Sequence, residues 1–449
     1  MYLNGWELIK YLQAPTHFND QLMNHQLMNY KNTSIFAKEM DAQDPLAKYR
    51  DQFHIPVQKN GQPFVYLCGN SLGLQAKSTK DALIQELDDW AKLGVEGHFE
   101  AKNPWMPYHE FLTQAMAKVV GAKPIEVVVM NTLTVNLHLM MVSFYQPTEK
   151  RHKILIEYDA FPSDKYAVAS QIQFHGHNPD KSLIELKARP GEACIRIEDI
   201  ETIIEEQGEE IALIMLGNTN YYTGQFFDMK RITTLGHAKG CKVGFDCAHG
   251  AGNVELNLHD SGADFAVWCT YKYLNAGPGS IAGCFVHERH AEHKNLPRFT
   301  GWWGHNKATR FRMRDAFDPI PGVEGWQLSN PPILSLAAIW ASLKIFDEVG
   351  MAQLRKKAVL LTGYMEYLLD EIKDDRISII TPRNPAQRGT QLSIQVKNAN
   401  KHLFDQITKA GVIADWREPD VIRVAPVPLY VSFEDVYHFI EILKNQLAV

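Results

Sequence analysis

Short apolar runs, each closed by a polar cluster, recur along the first two thirds of the chain. Lys242-Val243-Gly244-Phe245 leads into Asp246-Cys247-Ala248-His249, and Phe265-Ala266-Val267-Trp268-Cys269 leads into Thr270-Tyr271-Lys272-Tyr273. Runs this short, apolar and β-prone, without polar alternation, mark strands buried on both faces of a parallel sheet. Glu126–Met130, Lys153–Glu157, Ile211–Leu216 and Asp264–Cys269 predict strands of the same kind. Thr134–Phe144 and Ser163–Gln173 predict helices between them, and Ile281–Val286 predicts a strand antiparallel to its neighbours. Such alternation is the pattern of an α/β domain. Pro331-Pro332 breaks the chain before a helix over Ile333–Val349. A helix around Leu354–Lys373 and strands at Gln391–Val396 and Val421–Val424 follow, predicting a smaller α/β domain.

The expected division is therefore an N-terminal segment over 1–60 packing with the small domain, a large domain over 61–330 and a small C-terminal domain over 331–449. The first thirty or so residues, polar and rich in Asn, Gln and Met, are expected as a poorly ordered extension. Methionines at positions 1, 23 and 28 leave the true start open.

Composition narrows the partners. The 449 residues are 45% hydrophobic and 22% charged, an ordinary globular balance. A net charge of −6 offers no basic surface for nucleic acid or an anionic membrane. The longest apolar runs are too short to span a bilayer, and the first residues lack the regions of a signal peptide. None of the six cysteines forms a Cys-x-x-Cys pair, so buried, reduced thiols in a cytoplasmic protein are expected. No His-Glu-x-x-His or Cys/His spacing predicts a metal site.

A carboxylate and an amine delivered to one sheet edge point to pyridoxal phosphate, with Lys272 forming the Schiff base and Asp246 holding the pyridine nitrogen protonated. A solvated lysine is the default for its type, but Lys272 stands between an apolar strand and a glycine-rich turn, flanked by tyrosines. Asn131-Thr132-Leu133-Thr134 offers hydroxyls and a helix start for the phosphate; an ordinary N-cap is the competing reading. Phe161-Pro162-Ser163-Asp164 offers a ring to stack on the pyridine and a carboxylate beside it, or a Pro-led helix start capped by Ser or Asp. Gly277-Pro278-Gly279-Ser280-Ile281-Ala282 matches a relaxed dinucleotide fingerprint, but a strand and not a helix follows, so its glycines serve a tight turn beside Lys272. His249-Gly250-Ala251-Gly252 likewise reads as a turn that brings His249 over the site. Arg423, a charge inside the apolar run Val421–Val424, is either a structural ion pair or a fork for a substrate carboxylate.

Taken in order, these motifs resemble the kynureninase family of fold-type-I pyridoxal phosphate enzymes over roughly residues 45 to 445. The resemblance rests on Leu67-Cys68-Gly69-Asn70-Ser71-Leu72-Gly73, Met130-Asn131-Thr132-Leu133-Thr134-Val135-Asn136, Phe161-Pro162-Ser163-Asp164, Tyr221-Tyr222-Thr223-Gly224-Gln225, Gly244-Phe245-Asp246-Cys247-Ala248-His249, Tyr271-Lys272-Tyr273-Leu274-Asn275, Gly301-Trp302-Trp303-Gly304-His305, Ser329-Asn330-Pro331-Pro332 and Arg423-Val424-Ala425-Pro426. It implies a large domain with a mixed, mostly parallel seven-stranded sheet flanked by helices, plus a smaller α/β C-terminal domain. It also implies catalytic roles for Lys272, Tyr271 and Asp246, with Asp164 and His249 near the pyridine nitrogen and Phe161 stacked on the ring. Leu133, Thr134, Tyr271 and Trp302 would line the phosphate, Trp302 and Asn330 reaching in from the second subunit of a homodimer with shared sites. Ser71, His98, Tyr222, Asn330 and Arg423 would bind the substrate, Arg423 through its α-carboxylate. Where human-like members carry a small hydroxyl residue, this chain has Gly217-Asn218-Thr219, which leaves the phosphate contact there open.

The implied reaction is hydrolytic Cβ–Cγ cleavage of L-kynurenine or L-3-hydroxykynurenine to the aryl acid and L-alanine, in tryptophan catabolism and NAD biosynthesis. His98 and Asn330 can both hydrogen-bond a ring hydroxyl, so the 3-hydroxylated substrate is expected to be preferred. An aminotransferase or a cysteine-desulfurase-like enzyme would share Asp246 and Lys272; the second also needs a mobile cysteine.

Overall fold

The computed structural model describes residues 29–313 and 315–448. The extension expected over the first thirty or so residues falls almost wholly outside them. Thirteen strands are described: β1 Val65–Tyr66, β2 Val127–Val129, β3 Lys153–Glu157, β4 Leu183–Leu186, β5 Ile211–Gly217, β6 Lys242–Asp246, β7 Phe265–Trp268, β8 Gly283–Val286, β9 Ile377–Ile379, β10 Leu392–Val396, β11 Val412–Ile413, β12 Asp415–Arg417 and β13 Val421–Val424.

Seven strands form the main sheet in the order β2-β8-β7-β6-β5-β3-β4. β3 pairs parallel with β4 and β5, β5 with β6, and β6 with β7, while β8 runs antiparallel to both β7 and β2. The expected mixed, mostly parallel seven-stranded sheet and the antiparallel run before Val286 are both present. Successive residues of β2, β3, β7 and β8 enter different cores, because side chains alternate across a sheet. Val127, Val129, Leu155, Val243, Phe245, Ala266 and Trp268 pack on one side. Val128, Met130, Ile154, Ile156, Phe265 and Val267 pack on the other. Both faces are dry, and that is why the strands read as unbroken apolar runs.

Helices cover each face. Leu133–Phe144 and Pro162–Phe174 bury Leu137, Met140, Phe144, Val168 and Ile172 against one core. Ile197–Gln207 and Met229–Ala238 bury Ile200, Ile204 and Ile232 against the other. The helix Ile333–Val349 packs on the helices Ser78–Leu93 and Glu110–Val120. Beyond it, the long helix Met351–Ile372 and the C-terminal helix Phe433–Leu447 pack on each other. A four-stranded antiparallel sheet, β12-β13-β10-β9, follows, and β1 pairs parallel with β11. Leu67 N donates to Ile413 O at 2.8 Å and Ala425 N to Leu67 O at 2.8 Å. The segment before Ser71 is thereby stitched to the C-terminal strands.

Candidate active site

A cavity opens where the parallel strands end, the edge at which open α/β sheets bind ligands. Leu133, Thr134, Phe161, Asp164, Gly217, Thr219, Asp246, His249, Tyr271 and Lys272 line it, with Glu157, Ser163, Tyr221 and Ala248. Asp246 ends β6, Glu157 ends β3, Gly217 ends β5, and Lys272 follows β7 by one turn. Ten of the residues expected from sequence thus meet in one place: Leu133, Thr134, Phe161, Asp164, Asp246, His249, Tyr271, Lys272 and, from the open group, Gly217 and Thr219.

Lys272 Nζ lies 2.9 Å from His249 Nε2. Burial, with Lys272, Arg423 and Arg417 nearby, pushes the His249 imidazole well below its ordinary proton affinity. A neutral imidazole beside an amine accepts a hydrogen bond and orients it. The ring centroids of Phe161 and Tyr271 are each 5.9 Å from Nζ. Asp246 is buried and its Oδ1 accepts from Ala248 N at 2.6 Å. Burial raises its proton affinity, and raises that of Asp164 further because Asp246 sits beside it. Two buried carboxylates in contact are costly unless a proton or a cation lies between them.

The helix start at Pro162 is Pro-led, as one reading held, but Phe161 occupies the cap position and no side chain caps it. Asp164 is therefore not a cap; its Oδ1 is buried without a partner. At the other helix start Thr132 makes no side-chain cap bond, and Asn131 turns the chain at φ +50°. Thr134 Oγ1 lies 2.9 Å from Ser163 Oγ, joining the two helix starts across the cavity mouth. Buried Thr219 Oγ1 and His249 Nδ1 also lack partners. Unpaired buried polar atoms gathered round one cavity, beside a helix start with free N–H groups, suit a polar, anionic cofactor. The Gly277 segment is a turn with φ +92° at Gly277 and +66° at Gly279, followed by β8, which excludes the dinucleotide reading.

Arg423 is fully buried in β13, with Nη1 donating to Tyr221 O at 2.6 Å. It also pairs with Asp415, and Ser71 Oγ lies 3.4 Å from its Nη2. The ion-pair expectation for Arg423 therefore holds; Arg423 does not itself line the cavity but stands beside Tyr221, which does. Tyr222 is half-buried next to it, its carbonyl accepting from Ser393 Oγ. Of the expected residues, Ser71, His98, Tyr222, Trp302, Asn330 and Arg423 are not among those lining the cavity. His98 Nδ1 lies 2.9 Å from Val95 O. Trp302 is 41% exposed, its indole N–H donating to Arg310 O at 3.2 Å, and Asn330 is exposed.

Sequence reasoning passed over Glu157, Tyr221, Asp415 and Arg417. Glu157 carried a visible signal, an apolar run ending on a charge, as Asp246 did. Elsewhere, Glu126, His259 and His287 place ligand-type atoms within 4.8 Å of one another. The Glu126 carboxylate is engaged there by the backbone N–H groups of Lys123 and Glu288, each at 2.8 Å. No cysteine pairs with another among the described residues: Cys68 and Cys194 are half-buried and the other four buried.

Residues 354–443 match the family model described as the kynureninase C-terminal domain. The kynureninase of Koribacter versatilis (strain Ellin345) is 59% identical over 92% of this chain and 97% of its own. That of Myxococcus xanthus (strain DK1622) is 58% identical over 93% and 98%, and that of Nematostella vectensis 49% over 91% and 93%. Among solved structures, the apo cysteine desulfurase of Thermococcus onnurineus NA1 superposes with a TM-score of 0.72 at 17% identity, covering 89% of this chain and 97% of that one. A C-DES mutant with glycine covalently linked to its PLP cofactor gives 0.73 at 15% identity, covering 88% and 99%. At such identity these two structures report the fold alone.

Proposed function

The chain belongs to the kynureninase family, and from that premise we propose which residues carry the reaction and which substrate is preferred. The protein is a pyridoxal phosphate-dependent hydrolase that cleaves the Cβ–Cγ bond of L-kynurenine, giving anthranilate and L-alanine. The observation that carries the assignment of roles is the meeting of Lys272 Nζ, His249 Nε2 and two buried carboxylates at one sheet edge.

When bound, pyridoxal phosphate supplies an electron-poor ring that stabilises negative charge on the carbons of the amino acid. Lys272 would carry it covalently through Nζ. Asp246 and Asp164 would face its ring nitrogen, whose positive charge relieves the repulsion between them. Phe161, 44% exposed, has a face free to stack on the ring. Leu133 and Thr134, at the helix N-terminus, and Tyr271 would hold the phosphate. Trp302 and Asn330 would complete the site of a second copy in a homodimer, consistent with their exposure in this one.

Lys272 is the base that takes the Cα proton and returns it, held in line by the neutral His249. Burial, then Cys269 beside it, pushes the Tyr271 hydroxyl well above its ordinary value. A phenol that keeps its proton is a donor, which suits it to protonate Cβ, the carbon that keeps the bonding electrons when the aryl acid departs. Arg423 and Ser71 would take the α-carboxylate, with Tyr222 beside them. Val95 O accepts from His98 Nδ1, so Nε2 of the neutral ring is left as an acceptor. An acceptor there favours a substrate whose ring bears a hydroxyl donor, hence 3-hydroxykynurenine over kynurenine.

Steady-state kcat/KM with both substrates tests this. The wild-type value is expected to be about tenfold higher for 3-hydroxykynurenine, the scale of one buried hydrogen bond. Lys272→Ala should turn over neither. Equal values, or faster kynurenine turnover, would refute the preference, and activity in Lys272→Ala would refute the lysine's role.

A further inference from the structure

Arg423 does not stand alone in its strand. β12 pairs antiparallel with β13 so that Asp415 lies directly opposite Arg423. Residues two apart share a face of a strand, which brings Arg417 to the same side as Asp415. One oxygen, Asp415 Oδ2, accepts from the Nη2 of Arg423, from the Nη2 of Arg417 at 3.1 Å and from the Ser71 hydroxyl. The side chains of Arg423, Asp415 and Arg417 are 1%, 13% and 36% exposed, so the cluster runs from the interior to the surface. The Arg423 Nε–H is buried without a partner. Both guanidinium carbons lie 5.7 Å from the ring centroid of Tyr221, which packs edge-to-face with Phe161, the centroids 5.3 Å apart.

The position a substrate carboxylate needs is therefore already taken by a carboxylate of the protein. Two guanidiniums share that one carboxylate, so the cluster holds one positive charge in excess. Away from water, such an excess strongly favours a second carboxylate. Taking as given that Arg423 receives the α-carboxylate, we propose that Asp415 is a resident counter-ion that occupies Arg423 until the substrate's carboxylate replaces it, and that Arg417 retains Asp415 when it lets go. Both are positioning residues: they act on the substrate through Arg423. The exchange leaves neither Arg423 nor Asp415 without a partner and pairs the excess charge, two carboxylates for two guanidiniums when substrate is bound. Ser71, released from Asp415, can turn its hydroxyl to the incoming carboxylate.

Steady-state kinetics of the holoenzyme with kynurenine test the exchange. Asp415→Asn removes the competitor and should lower KM about threefold or more, moving KM more than kcat. Arg417→Gln leaves Asp415 with Arg423 as its one arginine partner and should raise KM about tenfold, while Arg417→Lys should recover most of that loss. The double variant Asp415→Asn/Arg417→Gln should match Asp415→Asn alone, since Arg417 acts through Asp415. A rise in KM for Asp415→Asn, or no rise for Arg417→Gln, overturns the proposal. Should Asp415→Asn fail to fold, the two Arg417 variants decide it by the same criteria. Arg423→Lys separates the underlying reading: if it leaves KM unchanged, Arg423 is not the carboxylate fork. If it raises KM about tenfold while Asp415→Asn raises KM too, the fork stands and the exchange fails.

Discussion

Glu157 closes β3 with both carboxylate oxygens 3.1 Å from the amide nitrogen of Gly217. It is wholly buried, and burial, with Asp246 and Asp159 nearby, pushes its carboxyl from 4.5 up to about 7. A carboxyl whose proton affinity is higher folded than unfolded stabilises the fold below about pH 4.5, and loses that contribution as pH rises through 7. The shift corresponds to about 3 kcal/mol at most. Glu157→Gln should therefore stabilise the protein progressively more, relative to wild type, between pH 5 and pH 8. Thermal melts of both proteins across that range measure it; a constant difference would show that Glu157 does not titrate there. At this scale Asp246 and Lys272 were legible in the chain because each ends an apolar run on a group too costly to bury without a purpose. Asp415 was not. It lies in a short polar stretch, and its significance comes from the cross-strand register that sets it against Arg423.

The strands of the main sheet owe two positions to neighbouring rings. A Cβ on Gly244 of β6 would come within 2.1 Å of the Phe265 ring on β7, and a Cβ on Gly283 of β8 within 2.2 Å of the Trp268 ring. Each ring lies across the next strand, so the sheet is packed with aromatic side chains where the partner strand carries none. Gly244→Ala should cost about 1–3 kcal/mol through overpacking. Urea titration followed by tryptophan fluorescence measures the loss, and a neutral effect would mean that Phe265 has room to shift. The central strands were readable because burial on both faces imposes an apolar run. β4, with its half-buried residues at the sheet edge, gave no such run and went unread. The short strands β9, β11 and β12 were missed as well, since two or three residues carry no period.

Across the whole molecule, the cavity gathers most of the residues proposed to hold the cofactor but not all those expected around it. Trp302, Phe311 and Met313 stand 41%, 56% and 69% exposed, with the Trp302 and Phe311 rings 5.4 Å apart. Apolar side chains gathered at a surface favour a protein partner. If sites are shared between two copies, Lys272→Ala and Trp302→Ala chains, each inactive alone, should complement one another on mixing. One intact site in each hybrid dimer would restore about a quarter of wild-type activity. No recovery after subunit exchange, verified by mixed-mass dimers, would refute the shared site.

The sequence alone determined the α/β class, the order of the buried strands and the pair Asp246 and Lys272, because burial constrains residue type locally and leaves a pattern along the chain. Only the tertiary structure decided that Asp246 and Asp164 lie buried side by side, that His249 Nε2 sits 2.9 Å from the lysine, and that Arg423 already pairs with a carboxylate. Those facts depend on distances between segments up to hundreds of residues apart, such as Ser71 and Arg423, which no local pattern encodes.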